Sequence, residues 1–204
     1  MVRNSALPSP PPLANDPGQR DLARFELQRR PLTRSEAADI MRQIRESPHI
    51  TGYSVREWTG GRDTFALVHS ETGRLAGALL VHHLAGRWSE IAVVFMLEEF
   101  RGRGIGRQML RDSLRAMESA DRNLLLFFCS PGMGRLTAEA GFTVLESETD
   151  FTHGSLRRKL FLSVLYKAQW LCSAYRLREI RRKRRDFDCS FEFKVGVLMR
   201  KGAL

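Results

Sequence analysis

The sequence predicts a mixed α/β fold in which helices cover the faces of a central β-sheet. Two apolar segments, Trp88–Met96 and Asn123–Cys129, have the length and composition of buried strands, and each is followed by a segment with helical character. Strands that alternate with helices in this way are typical of a mixed sheet between layers of helices. Because 43% of the 204 residues are hydrophobic, the chain can build a substantial core, and we expect a soluble globular protein.

Local signals along the chain justify the individual elements. Apolar residues at helical spacing predict a helix over Ser35–Glu46, which Thr33 or Ser35 can cap and Pro48 ends. The turn residues Glu71–Gly73 between two apolar runs indicate a hairpin. In chain order the predicted elements are a strand in Phe25–Leu32, the helix Ser35–Glu46, hairpin strands in Thr64–His69 and Arg74–Leu84, the strand Trp88–Met96, a helix from the following glycine-rich segment to about Ser119, the strand Asn123–Cys129, a helix in Gly132–Ala140, a strand beginning in Phe142–Leu145, and a last strand in Cys189–Arg200.

Residues 1–24 are predicted to be a disordered leader, rich in proline and without the apolar stretch of a secretory signal. The apolar runs elsewhere are far shorter than the roughly 20 residues of a membrane-spanning helix, so we expect no span. Cys129, Cys172 and Cys189 are odd in number and widely spaced, with no CxxC pair. This pattern favours reduced thiols over disulfides or zinc ligands, so we expect a cytoplasmic protein with no metal site.

The positive charge of the chain is concentrated in one segment. The chain carries 33 Lys and Arg against 23 Asp and Glu, a net charge of +10. Residues 156–185 contain eleven of the basic residues and a single acid, so this segment alone carries a charge equal to the whole excess. The nearly neutral body and the basic segment therefore need separate explanations.

A glycine-rich segment, Arg101–Gly106 (RGRGIG), lies between a predicted strand and a predicted helix. Its three glycines allow a tight turn, and the first amides of the following helix point unsatisfied N–H groups at a ligand. Three arginines, Arg101, Arg103 and Arg107, add positive charge that suits phosphate oxygens. The spacing excludes a Walker loop, which ends in Lys and Ser or Thr, and a dinucleotide fingerprint, which needs glycine at position 107. The segment predicts a site for phosphate or pyrophosphate.

This loop and a second motif, Gly134–Phe142 (GRLTAEAGF), resemble the GNAT superfamily of acetyl-CoA-dependent N-acetyltransferases. The pyrophosphate loop of that family reads Arg/Gln-x-x-Gly-x-Gly/Ala, which Arg101, Gly104 and Gly106 match, and a family helix ends in Gly-Phe before the sixth strand. The resemblance covers about residues 25–146 and the last strand. It implies that residues 25–204 form a GNAT-like domain with a splayed sheet, and residues 150–188 would be a basic helical insertion between the sixth and seventh strands.

The resemblance also implies acetyl-CoA as co-substrate, lying in the V between the fourth and fifth strands. Backbone groups of Phe95, Met96 and Leu97 would bind the pantetheine arm, and an N–H near Met96 would stabilise the oxyanion. The residues that would hold the pyrophosphate are Arg101, Gly102, Arg103, Gly104, Ile105, Gly106 and Arg107.

Glu90 is the candidate general base. It precedes Arg101 by eleven residues, an interval similar to that in the histone-type lysine acetyltransferases of the family. The resemblance therefore implies that Glu90 takes a proton from the acceptor amine, directly or through water. The alternative is an exposed acid at the start of a strand, paired with an arginine. The neighbouring acids Glu98 and Glu99 are expected to be solvated, and Cys129 is expected to be a buried small hydrophobe.

One residue of the family pattern is missing. Many members use a tyrosine four residues before the Gly-Phe pair to protonate the departing thiolate, and Thr137 stands there in this chain. Water, the thiolate's own basicity or a residue such as Tyr166 would then serve. Two functions follow: an N-acetyltransferase that acts by direct attack on a protein, small-molecule or aminoacyl amine in a ternary complex, and a degenerate acyl-CoA-binding regulatory module.

Apolar residues recur at helical spacing through residues 156–185 and predict one basic amphipathic helix, or two. In the family this connection lies beside the acceptor groove, which favours a role in acceptor selection. The five consecutive cations Arg181–Arg185 are either a solvated end of the helix or a site for an acidic partner. Nucleic acid, an acidic protein surface and anionic lipid remain open as that partner.

Overall fold

The computed structural model of the chain describes residues 22–61, 63–84, 86–166, 173–188 and 191–200. The strands are β1 (Phe25–Arg29), β2 (Thr64–His69), β3 (Leu75–His83), β4 (Trp88–Met96), β5 (Asn123–Phe128), β6 (Thr143–Leu145) and β7 (Lys194–Leu198). The helices are α1 (Arg34–Glu46), α2 (Val55–Gly60), α3 (Ile105–Ala116), α4 (Pro131–Glu139), α5 (Glu148–Thr152), α6 (Leu156–Leu160), which continues as a π-helical segment over Phe161–Tyr166, and α7 (Ala174–Phe187).

In the part of the chain that the structure describes, the strands form one open sheet in the order β1-β2-β3-β4-β5-β7-β6. Neighbouring strands are antiparallel except β4 and β5, which are parallel. The last strand inserts between β5 and β6, so the helices that follow β6 lead the chain back into the sheet. This arrangement confirms the mixed α/β fold that the alternation of strands and helices predicts.

The sheet splays between β4 and β5. The two strands pair over only four residues of β4, from Trp88 to Ile91. Where that pairing stops, β4 has a β-bulge: Ile91 lies opposite Val81 and Val93 opposite Leu80, which leaves Ala92 as an extra residue. Because a bulge bends its strand and increases the local twist, it turns the second half of β4 away from β5. The V-shaped opening expected for the cofactor is therefore present.

Helices cover both faces of the sheet, and the strand residues alternate between the two layers. On β2 and β3, Phe65, Leu67 and Leu79 pack with the apolar side of α3, whereas Ala66 and Leu80 pack with α1 and α2. A third cluster joins β5 and β7 to the helices after β6, and its members are Leu84, Leu125, Phe151, Leu162, Tyr166, Val195 and Val197. The strands on the β5 side of the cleft therefore pack against the connection between β6 and β7.

Two basic side chains of α7 are buried against the α1–α2 region. Lys183 is fully buried, and its ammonium donates to backbone carbonyl oxygens at the end of α1 and in the connection to α2: Ile44, Ser47 and Ile50. Arg176 is also buried and pairs with Glu57 of α2 at 2.8 Å. α7 is thus held to the body by charged groups that satisfy backbone acceptors and a carboxylate.

The run Arg181–Arg185, expected to be either a solvated helix end or a site for an acidic partner, is neither at two of its positions. Lys183 is buried, and Arg182 is paired with Glu179 and Asp186 on the same helix. A helix distributes consecutive residues around its axis, so a basic run in the sequence divides between a packed face and a solvated face. The exposed cations of this run are Arg181, Arg184 and Arg185.

Other differences concern short elements. The helices α2 and α5 were not expected, and β7 begins at Lys194, later than the predicted strand; Cys189 and Ser190 lie outside the described residues. The predicted leader falls almost wholly outside them, and so do residues 167–172 of the basic segment. Among the helices that the structure describes, none has the length and apolar character needed to cross a membrane.

Candidate active site

A cleft of about 1070 Å³ opens where β4 and β5 separate. One side is formed by the glycine-rich loop and α4, and another by the connection between α1 and α2, with α7 behind it. Residues predicted for the site that line the cleft are Glu90, Phe95, Met96, Arg101, Gly102, Gly104, Gly106 and Arg107. The sheet therefore brings the candidate base and the candidate phosphate loop to one cavity.

The glycine-rich loop has the backbone geometry of an anion cradle. Gly102 and Gly104 adopt positive φ values of 79° and 76°, which L-residues with side chains rarely adopt. The first helical hydrogen bond of α3 runs from the amide of Gln108 to the carbonyl of Gly104, so the three amides before it have no acceptor within the helix. A Cβ on Gly106 would lie 3.2 Å from Cγ of Met96, which shows how closely the loop approaches β4. These features fit the diphosphate of a nucleotide such as coenzyme A.

Arginines at this end of the cleft are held in different ways. Arg101 donates from Nε to the carbonyl of Met96 at 3.0 Å, and its guanidinium lies 5.2 Å from the ring centre of Phe95. Arg107 pairs with Glu139 of α4 at 2.8 Å. Arg135 of α4 lines the cleft with no ion pair to any residue that the structure describes. It lies within the GRLTAEAGF motif, whose resemblance to the family rests on the helix and its Gly-Phe end and implies no role for this arginine.

Three residues predicted to bind the cofactor do not line the cleft. The amide of Leu97 donates to Ala76 on β3, and its side chain is buried in the α1 layer of the core. The side chain of Ile105 is buried in the opposite layer, so only its backbone amide is left for the predicted contact. Arg103 is exposed and does not line the cleft. The prediction assigned whole segments, whereas only part of each segment faces the cleft.

Glu90 is buried, with 4% of its surface exposed, at the point where β4 and β5 part. One carboxylate oxygen accepts a hydrogen bond from the hydroxyl of Tyr166 at 2.8 Å, and the other lies 3.4 Å from Nδ1 of His82. The alternative prediction, an exposed acid paired with an arginine, does not describe this residue. A buried carboxylate that lines a cleft is placed to accept a proton from a group bound there.

Two buried tyrosines border Glu90. The hydroxyl of Tyr53 donates to the carbonyl of Ala92, the bulge residue of β4, and burial raises the pKa of this tyrosine. Burial, together with the nearby Glu90 carboxylate, also raises the pKa of Tyr166 well above its ordinary value. Both hydroxyls therefore stay protonated near neutral pH and act as hydrogen-bond donors.

Thr137 and Cys129 differ in their relation to the cleft. Thr137 is fully buried in α4, donates to the carbonyl of Met133 at 2.7 Å, and packs against Gly196 of β7. Its hydroxyl is thus occupied within its own helix.

Cys129, expected to be a buried hydrophobe, is only half-buried: it lines the cleft, and its thiol lies 3.3 Å from the carbonyl of His49. It lies just after the last residue of β5, where the sheet no longer covers it.

The family model of the acetyltransferase (GNAT) family matches residues 29–131, half of the chain, and the protein belongs to this family. The family uses acetyl-CoA as co-substrate, in agreement with the prediction from the two motifs. The comparison with curated proteins found no match.

Solved structures with the same fold are distant in sequence. N-acetylglutamate synthase from Neisseria gonorrhoeae, complexed with coenzyme A and N-acetyl-glutamate, is 18% identical with a TM-score of 0.56, and the alignment covers 86% of this chain but 35% of that one. This chain thus spans about a third of that enzyme. Rv2747 from Mycobacterium tuberculosis, also in complex with CoA, is 15% identical with a TM-score of 0.59, and the alignment covers 85% of this chain and 98% of that one. A ribosomal-protein-S5-alanine acetyltransferase from Vibrio fischeri is 11% identical with a TM-score of 0.53, and the alignment covers 89% of this chain and 96% of that one.

Proposed function

We propose that this protein transfers the acetyl group of acetyl-CoA to an acceptor amine by direct attack in a ternary complex, with Glu90 as the general base. The observation that carries the proposal is that the buried Glu90 carboxylate and the amides of the glycine-rich loop line one cleft. The loop end binds the diphosphate, and the splayed half of β4 offers backbone groups to the pantetheine arm. The thioester supplies the activated acetyl group.

A general base is needed because the acceptor amine must lose a proton before it attacks the thioester. An amine with a pKa near 10.4 is almost wholly protonated at neutral pH, and removing that proton costs about 4.6 kcal/mol. A carboxylate at the edge of the cleft accepts this proton directly or through one water molecule. Because the hydroxyl of Thr137 is bonded inside α4, the departing thiolate is protonated by water or retains its charge.

Transfer of a labelled acetyl group to acceptor amines tests the proposal. Purified protein is incubated with radiolabelled acetyl-CoA and separate pools of small amines, peptides and an aminoacyl-tRNA mixture, and labelled acceptor is counted. We expect transfer to at least one pool, at a rate that saturates with both substrates and gives intersecting lines in a two-substrate analysis. Parallel lines would contradict direct attack, and no labelled product in any pool would contradict the transfer.

The second candidate function is an acyl-CoA-binding regulatory module, and the sequestered Thr137 hydroxyl is the observation that favours it. This candidate keeps the loop and the cleft but needs no base. Calorimetric binding of acetyl-CoA, combined with no turnover in the wild type, would support it. Binding together with turnover that depends on Glu90 would exclude it.

Exposed cations of α7 outside the cleft support an acidic partner. Arg178 and Arg181 are exposed one helical turn apart, and Arg185 follows on the same face. Charge reversal of Arg178 and Arg181 should weaken binding to RNA, an acidic peptide or anionic vesicles, whichever the wild type binds, and leave acetylation of a small amine unchanged. Equal loss of both properties would contradict a separate partner surface.

A further inference from the structure

The connection between β6 and β7 places the hydroxyl of Tyr166 beside Glu90. Tyr166 lies at the end of the π-helical segment that continues α6, and its hydroxyl donates to Oε1 of Glu90 at 2.8 Å. Its ring stacks on Phe127 of β5, with ring centres 4.7 Å apart and planes inclined by 22°. Tyr166 is 7% exposed and lines the cleft together with Glu90. The hydrogen bond is therefore shielded from water and has a fixed geometry.

Packing of the preceding residues fixes the position of Tyr166. Leu162, one turn earlier in the segment, is 2% exposed and packs in the cluster that contains Leu125 of β5 and Phe151 of α5. Leu125 is the residue of β5 that pairs with Glu90. The segment that carries Tyr166 thus packs against the residue of β5 that is paired with Glu90. This packing holds the tyrosine hydroxyl close to the carboxylate.

Several groups face the Glu90 carboxylate from the surrounding elements. His82 of β3 lies 3.4 Å from Oε2, and Tyr53 approaches from the connection between α1 and α2. Arg176 of α7 lies over the ring of Tyr53, 4.7 Å from its centre. Because the Tyr166 hydroxyl keeps its proton, it is the donor to Glu90, and the hydrogen bond fixes the orientation of the carboxylate.

We propose that Tyr166 is a positioning residue that holds the Glu90 carboxylate oriented toward the acceptor amine, and that it is not the proton donor to the departing thiolate. The inference rests on the proposed function, since it assigns Glu90 the role of base. It makes the connection between β6 and β7 part of the active site.

The pH profile of kcat/KM in Tyr166→Phe distinguishes positioning from proton donation. The variant keeps the ring that stacks on Phe127, so we expect it to fold, with unchanged binding of coenzyme A. Loss of a hydrogen bond to a charged group should lower kcat about 10- to 100-fold, with the KM for acetyl-CoA unchanged and the alkaline limb of the profile retained. Tyr175→Phe, on α7 and outside the cleft, is the control and should leave the profile unchanged.

A proton donor would give a different result. If Tyr166 protonated the thiolate, its replacement would remove the alkaline limb and leave the acid limb in place, and this outcome would overturn the proposal. A kcat equal to that of the wild type would overturn it as well.

A double-mutant cycle with Glu90→Gln completes the test. If Tyr166 acts only through Glu90, the double variant should have the activity of Glu90→Gln alone; losses that multiply would contradict the inference. Failure of the proposed function is recognised separately, because then the wild type itself transfers no acetyl group. A wild type that depends on Glu90 but tolerates Tyr166→Phe defeats only the inference.

Discussion

The ammonium of Lys183 on α7 donates to the backbone carbonyl of Ile50 at 2.6 Å, and the same group also satisfies the carbonyls of Ile44 and Ser47. These carbonyls lie where α1 ends and the chain turns toward the cleft, whose lining includes Ser47 and Ile50. A charge buried without compensation is costly, but here the ammonium donates to three acceptors. Lys183 therefore couples the position of α7 to one wall of the cleft.

Replacement of this lysine should destabilise the protein. Lys183→Met keeps the length of the side chain but leaves buried carbonyls without a donor, so we expect the free energy of unfolding to fall by about 2 to 5 kcal/mol. Urea unfolding followed by tryptophan fluorescence measures it. Arg181→Met, on the exposed face of the same helix, should change stability by about 0.5 kcal/mol or less. Equal effects of the two variants would contradict the burial of Lys183.

Stability at acid pH should depend on Glu36. Hydrogen bonds from Arg30 and from the Thr33 cap lower the pKa of Glu36 to about 2 from its ordinary 4.5. Because the folded-state pKa is the lower one, the stabilisation is complete above the unfolded value and is lost as the pH falls from 4.5 toward 2. The pair is partly solvated, so the effect should be about 1 kcal/mol.

Urea midpoints measured across this acid range check the prediction. Glu36→Gln should flatten the dependence, whereas Glu46→Gln, an exposed acid at the end of α1, should leave it as in the wild type. A wild-type slope retained in Glu36→Gln would show that other carboxylates produce it.

The loop backbone can be tested with a matched pair of glycines. Gly104 and Gly73 have φ values of 76° and 65°, and a Cβ at either position would meet no atom within 4 Å. Alanine at each position should cost about 1 kcal/mol of stability through backbone strain. Only Gly104→Ala should also weaken coenzyme A binding, about tenfold, since it distorts the amide cradle. Calorimetry measures both affinities, and equal affinity in the two variants would contradict a role of the loop in binding.

Arg135 should contribute to phosphate binding. It lines the cleft, and no residue that the structure describes neutralises it by an ion pair. Arg135→Gln should weaken coenzyme A binding about tenfold at low salt, with a smaller difference at high salt because exposed charges are screened. Arg181→Gln carries the same charge change away from the cleft and should bind like the wild type. A salt-independent loss in Arg135→Gln would indicate a packing role instead.

The sequence predicts those parts of the fold that depend on local patterns. The apolar run of β4, the glycine-rich turn and the helix cap at Thr33 all appear in the structure. The short helix α2 also has a local signal, the capping box formed by Ser54 and Glu57. Its six residues contain too little helical periodicity to be recognised by spacing alone.

The remaining features depend on contacts between distant segments. The place of β7 between β5 and β6 is set by pairing across the sheet, and no local pattern encodes it. The burial of Lys183 requires acceptors more than a hundred residues away, so a charge count treats it like its exposed neighbours. The bond from Tyr166 to Glu90 joins residues 76 apart, and the sequence offers Tyr166 only as one alternative among several.

The most direct test of the central claim is the rate of acetyl transfer by Glu90→Gln, measured in a single turnover with saturating acetyl-CoA and the best acceptor found for the wild type. Calorimetry confirms that the cofactor still binds, and Glu98→Gln, an exposed acid outside the cleft, is the control. We expect a rate at least about 100-fold below the wild type at neutral pH, partly recovered at high pH where the amine loses its proton unaided. A Glu90→Gln variant that transfers acetyl groups as fast as the wild type would contradict the account.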